Sequence, residues 1–191
     1  GFANQDGNTA QELYNDDIFV GYRYYDTFGV DVSYPFGYGG SYTSFAMSTK
    51  SVKADKDKVT VQVKVKNTGT VSGKEVAEVY FSAPEGNLDK PYQELAGYAK
   101  TDELAPGESQ VLTITYDTTE MGSYDTDKAA YVMEDGDYII RVGNSSRNTH
   151  VAGKISVAED TITEQYSNLM VPVKDNPNVA DDEKYPTLEP M

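Results

Sequence analysis

The sequence predicts an all-β chain built around one antiparallel β-sandwich of the immunoglobulin type, and three observations predict it. Val59, Val61, Val63 and Val65 alternate with Thr60, Gln62 and Lys64, the period-two signature of a strand with one wet face. The same alternation returns in Leu112, Ile114 and Tyr116 and again in Tyr138, Ile140 and Val142. Turn-forming residues punctuate the runs, at Asn67-Thr68-Gly69 and at Asp135-Gly136, and hardly any helical period intervenes. Short strands at this spacing make a sandwich of about 100 residues.

The elements divide into three regions. Residues 1–45 form an irregular N-terminal segment, polar and then aromatic, whose apolar run Ile18-Phe19-Val20 fits a short buried strand. Residues 46–158 carry the sandwich. After the valine strand comes Glu75–Ala83, in which Ala77, Val79 and Phe81 share one face. The Leu112–Tyr116 strand follows, then Asp135-Gly136 as a hairpin turn into Tyr138–Val142, and Val151–Val157 closes the set. Residues 159–191 hold eight acids against Lys174 and Lys184, with four prolines at 172, 177, 186 and 190. That composition reads as an extended acidic tail or linker, with Leu169-Met170-Val171 as a stretch able to dock on the sandwich. No internal repeat is present.

Charge narrows the partners. Thirty-one acidic and 16 basic side chains give a net charge of −15, which argues against nucleic acid or an anionic membrane. There is no cysteine, so neither disulfides nor thiolate metal sites support the fold, and the redox compartment stays open. No apolar run reaches the roughly 18–20 residues of a membrane span, and no signal peptide opens the chain, so it reads as soluble.

Four acidic clusters are candidates for chemistry: Asp16/Asp17, Asp55/Asp57, Glu134/Asp135/Asp137 and Asp181/Asp182/Glu183. Turn aspartates ordinarily bond their own backbone, so catalysis is not assigned to them. Glu134-Asp135-Gly136-Asp137 has part of a calcium loop's pattern, but turn chemistry explains it better. His150 is the single histidine, too little for a triad or a zinc site, and is placed at a strand end. Asn144-Ser145-Ser146 fits the glycosylation pattern, with chance as the better account. No cofactor and no metal are expected.

The most distinctive stretch is Tyr34-Pro35-Phe36-Gly37-Tyr38-Gly39-Gly40-Ser41-Tyr42-Thr43. Pro35 fixes φ, and Gly37, Gly39 and Gly40 are expected to turn the backbone through positive φ. The large rings of Tyr34, Phe36, Tyr38 and Tyr42 need cover. Upstream, Arg23 sits among Tyr22, Tyr24 and Tyr25, able to stack on a tyrosine or pair with Asp26. Three readings compete: an ordinary glycine loop, a sugar-stacking platform, and a chain pinned between two packed bodies. Sixteen tyrosines without a tryptophan favour burial at an interface over a sugar platform.

The order of motifs resembles glycoside hydrolase family 3. The resemblance rests on Tyr14, Ile18 to Asp26, Tyr34 to Gly39, Ser41-Tyr42-Thr43 and Phe45, followed by Lys64 to Gly69, Gly73 to Val76, Val79-Tyr80, Lys90-Pro91, Glu94-Leu95, Gly97 and Leu104. It continues through Pro106 to Ser109, Tyr124-Asp125, Gly136-Asp137-Tyr138 and Val142-Gly143, so that it covers about residues 14–146. In that family this stretch ends an α/β sandwich domain and leads into a fibronectin type III-like domain. Two departures stand out: Gly40 replaces a usual leucine, and Asp16-Asp17 replaces an acidic-plus-glycine pair.

The resemblance implies a parent enzyme that hydrolyses terminal β-linked sugars, a β-glucosidase. Its nucleophile would be an aspartate in a Ser-Asp-Trp-type motif on a (β/α)8 barrel, and this chain has no tryptophan. The family's acid/base glutamate lies earlier in the α/β domain. The chain alone is therefore expected to be an inactive accessory module that braces the barrel and the α/β sandwich. Tyr22, Arg23, Tyr24, Tyr25, Tyr34, Phe36, Tyr38 and Tyr42 are the expected interdomain seam. The alternative is an independent carbohydrate- or protein-binding module that uses exposed tyrosines.

Overall fold

The computed structural model describes residues 17–167, which form ten strands and one short α-helix. One sheet has the order β1 (Phe45–Ala54), β2 (Lys58–Asn67), β5 (Ser109–Asp117). The facing sheet has the order β4 (Glu94–Lys100), β3 (Val76–Ser82), β8 (Gly136–Gly143), β9 (Thr149–Val157). All strand pairs are antiparallel. A smaller sheet sets β7 (Ala130–Met133) between β6 (Ser123–Asp125) and β10 (Thr161–Gln165). Helix α1 spans Tyr22–Thr27.

The core follows the alternation. Val59, Val61, Val63 and Val65 are each 0% exposed and join one cluster with Ala77, Val79, Phe81, Ile114, Tyr138, Ile140 and Val142. Polar residues of β2 face out: Gln62 bonds the Ser51 hydroxyl at 3.2 Å, and Thr60 lies opposite Thr115. Burial of this one-sided set supplies the main driving force for the sandwich.

Three elements differ from the sequence reading. Ile18-Phe19-Val20 is not a strand: the chain turns there into α1, Val20 is exposed, and Phe19 packs its edge on Phe28 at 5.1 Å. Asp135-Gly136 is not a hairpin turn, because β7 and β8 belong to different sheets. Gly136, at φ 131°, crosses so close to Pro84 that an added Cβ would lie 2.6 Å from it. That combination of left-handed backbone and close approach is one only glycine accommodates. Finally, Thr161–Gln165, inside the stretch read as tail, pairs with β7 from Thr161 opposite Met133 to Gln165 opposite Ala130. Leu169-Met170-Val171 and most of the acidic stretch lie outside the described residues.

Just before the β7–β8 crossing, Glu134 is buried, and its carboxylate accepts bonds from the backbone N–H of Asn87 (2.7 Å) and Leu88 (3.2 Å) and from the Lys90 ammonium. Burial alone would raise its pKa, but Lys90 and the two N–H donors outweigh it and hold the carboxyl below the usual glutamate value. The pair ties the loop between β3 and β4 to the start of β8.

Candidate interdomain seam

The N-terminal segment lies against the outward face of the β3–β4 sheet. Gly21 enters α1 at φ 61° and Gly29 leaves it at φ 63°, so left-handed residues bracket the short helix. The Tyr22 ring stacks on Phe36 at 4.5 Å and meets the edge of Tyr80 at 6.2 Å, and its hydroxyl accepts the Leu95 N–H at 2.8 Å. Tyr80, fully buried, donates its hydroxyl to Glu78 at 2.7 Å. β3 is thus covered on both faces, by the sandwich core on one and by this segment on the other.

Glu78 is 6% exposed, and burial raises its pKa despite the bond from Tyr80. Directly over its carboxylate runs Gly37 at φ 81°, where an added Cβ would lie 2.2 Å from Oε1. We expect Gly37→Ala to detach the segment, since it combines a left-handed backbone cost of about 1–2 kcal/mol with a clash on a buried carboxylate. Loss of amide protection over residues 22–38, with β2 still protected, is the result that hydrogen exchange would register.

Arg147 fastens the other side. Its Nε donates to Asp26 at 2.7 Å, and its Nη2 donates to the carbonyls of Tyr25 (3.0 Å) and Val30 (2.5 Å). Beside it, the Ser146 N–H donates to the Phe36 carbonyl at 2.8 Å, and Gln93 Nε2 donates to the Ser146 carbonyl at 2.5 Å. Arg23 neither stacks on a tyrosine nor pairs with Asp26; its partner is Glu94, at 3.5 Å. Burial raises the Glu94 pKa against the pull of Arg23. The cation–π contact in the region belongs to Arg141, 5.1 Å over Tyr92.

Of the eight candidate residues, Tyr22, Arg23 and Tyr24 are half-buried, while Tyr25, Tyr34, Phe36, Tyr38 and Tyr42 are exposed. Tyr42 is 101% exposed, and Tyr34 (71%) stacks on Tyr38 (57%) at 5.2 Å. Of the three glycines expected to turn through positive φ, only Gly37 does. A Cβ on Gly40 would meet nothing within 4 Å, so there is room for the leucine usual in the family. Reading the sequence missed Glu78, Tyr80, Gln93 and Arg147. A tyrosine on the face of β3 opposite Ala77, Val79 and Phe81 was the one signal available for them.

The other candidates serve local structure. Asp55 accepts the N–H groups of Asp57 and Lys58 at 2.9 and 2.8 Å, which lowers its pKa. Asp137 binds Lys154 and Ser156, which lowers its own. His150 lies 3.1 Å from the Thr49 hydroxyl on an exposed strand, and Ser145 and Ser146 of the glycosylation-like triplet are buried. Among the described residues no group of three or more His, Asp or Glu side chains is arranged to hold a metal, and no helix is long and apolar enough to cross a membrane. A second aromatic group lies on the small sheet, where Tyr131 meets Tyr124 at 5.2 Å and Tyr166 at 6.0 Å, all three exposed.

The two facing antiparallel sheets make a fibronectin type III-like sandwich, and the sequence profile of the fibronectin type III-like domain matches residues 75–146. The chain is 39% identical to beta-glucosidase A of Butyrivibrio fibrisolvens over 93% of its own length and 25% of that protein's. It is 42% identical to a beta-glucosidase of Ruminococcus albus over 87% of its own length and 18% of the other's. Among solved structures it superposes on the beta-glucosidase of Paenibacillus barengoltzii with a TM-score of 0.78 and 48% identity, covering 82% of this chain and 19% of that one. For the GH3 beta-glucosidase of Bifidobacterium adolescentis the values are 0.72 and 33%, over 82% and 23%. The chain belongs to glycoside hydrolase family 3 and corresponds to the C-terminal, fibronectin type III-like accessory part of its β-glucosidases. It spans about a quarter or less of the length of these relatives.

Proposed function

We propose that the chain is a non-catalytic brace of a family 3 β-glucosidase, with the segment 17–43 as the seam against which the enzyme's α/β sandwich and (β/α)8 barrel seat. The observation that carries this reading is the division among the aromatics. Tyr22 is locked to the sheet, while Tyr34, Phe36, Tyr38 and Tyr42 are held outward, each at least 45% exposed, on a segment fastened by Arg147. Apolar rings kept exposed on an anchored backbone suit a second protein body.

The reading also agrees with what the carboxylates do. A retaining β-glycosidase needs two carboxyl groups about 5–5.5 Å apart and open to a sugar. Glu78, Glu134, Asp55 and Asp137 are instead committed to Tyr80, Lys90, backbone N–H groups and Lys154. The isolated chain is expected to leave 4-nitrophenyl β-glucoside intact. In the complete enzyme, Tyr34→Ser with Tyr38→Ser is expected to lower the melting temperature by several degrees while the isolated chain's own melting is unchanged. Hydrolysis by the isolated chain, or a melting temperature unmoved in the complete enzyme, overturns the proposal.

The exposed group Tyr124, Tyr131 and Tyr166 favours a second reading, carbohydrate binding, on a face formed by β6, β7 and β10. Retardation on native gels containing β-glucan, abolished by Tyr131→Ala, is its test.

A further inference from the structure

We propose that the groove between α1 and residues 32–36 is a receptor for a guanidinium group, presented by an arginine of the body that covers the seam. The proposal rests on the reading of the seam as a docking face and specifies what enters it. Tyr22, Tyr25, Tyr34 and Phe36 give the groove aromatic walls, and Asp26 lines it from the helix. The Asp26 side chain is 6% exposed. Its Oδ1 accepts from Arg147 at 2.7 Å, and its Oδ2 is buried with no hydrogen-bond partner.

A carboxylate oxygen only accepts, so the missing partner is a donor. Burial without one leaves a desolvated charge incompletely satisfied. A guanidinium meets both demands of the site: it is flat and stacks on tyrosine and phenylalanine faces, and it carries donors alone. Arg147 has already taken one edge of the carboxylate, and a second guanidinium at Oδ2 completes the other. An ammonium would pair without the stacking. A sugar ring needs donors and acceptors distributed around its rim, whereas this lining offers one carboxylate oxygen and phenols. The chain's net charge of −15 draws a cation toward the groove. Because Oδ2 is shielded, the incoming group must part the walls, of which Tyr34 (71% exposed) and Tyr25 (41%) are the open members.

The experiment titrates the isotope-labelled chain with N-acetyl-arginine methylamide, its neutral citrulline analogue, and glucose, following backbone amide shifts. The arginine probe is expected to shift residues 21–36 with a dissociation constant on the order of millimolar, and the citrulline analogue and glucose to leave them in place. Asp26→Asn is expected to weaken the arginine probe roughly tenfold. Because that change also touches Arg147, Tyr34→Leu provides a variant that removes a stacking wall and leaves the clamp intact, with roughly threefold weakening expected. Equal shifts from citrulline, stronger shifts from glucose, or shifts outside the groove overturn the proposal. If arginine fails while Tyr34→Ser with Tyr38→Ser still destabilises the complete enzyme, the groove assignment falls and the docking face stands. If that pair is silent as well, the docking face falls with it.

Discussion

Replacing Lys90 with methionine is expected to cost about 3–5 kcal/mol, the largest single effect in the sandwich, because it strands a buried carboxylate. The side chains of Lys90 and Glu134 are 7% and 5% exposed, so water cannot replace the lost cation without opening the loop between β3 and β4. Urea denaturation of Lys90→Met measures the loss. Lys90→Met with Glu134→Gln is expected to recover most of it, since no unpaired charge then remains. A double variant as unstable as the single one would show that packing of the lysine stem, not its charge, holds the loop.

The same pair fixes a direction with pH. The Glu134 pKa is lowered by folding, so its contribution is present above the ordinary glutamate value and is lost as pH falls through the lowered one. Glu78 has the opposite sign: its pKa is raised, so its contribution is present below the ordinary value and is lost as pH rises through the raised one. Acidification is therefore expected to loosen the loop around Asn87–Lys90 while tightening the seam under Gly37. Amide exchange at Leu88 followed below the ordinary glutamate value, and at Tyr38 followed above it, distinguishes the two.

Arg147→Ala is the second large effect, and it is local. It removes three hydrogen bonds and leaves Asp26 without a cation; with Arg147 32% exposed, the cost is discounted to about 2–3 kcal/mol. Amides from Phe28 to Val30 are expected to lose protection while those of β2 keep theirs, as a separately opening unit does. Simultaneous loss in both would show that flap and sandwich unfold as one.

The sandwich was legible because its strands have one wet and one dry face, and Val59 to Val65 announce that at a glance. What resisted reading lacked such asymmetry. β10 is exposed at four of its five residues, so Thr161–Gln165 carries no alternation, and its pairing with β7 is a tertiary fact. Asp135-Gly136 has hairpin chemistry, but the same backbone freedom serves a crossing between sheets, and only the placement of Pro84 selects it. Helix α1, at six residues, is too short to show a period. In the N-terminal segment the cluster of aromatics was legible and its fastenings to the sheet were not, because Arg147 lies 121 residues from Asp26 in sequence. Arg23, with Asp26 three residues away, turned instead to Glu94.

Coverage of β3 on its second face decides where such a module can be cut from its neighbours. A gene junction placed at residue 45, where the strands begin, would carry away the cover and leave Tyr80 and Glu78 facing water, with the Leu95 N–H deprived of Tyr22. The packing unit is the sandwich together with its flap. A cut that respects the folding must fall ahead of Phe19, so a transplanted sandwich keeps the cover of its β3 strand with it.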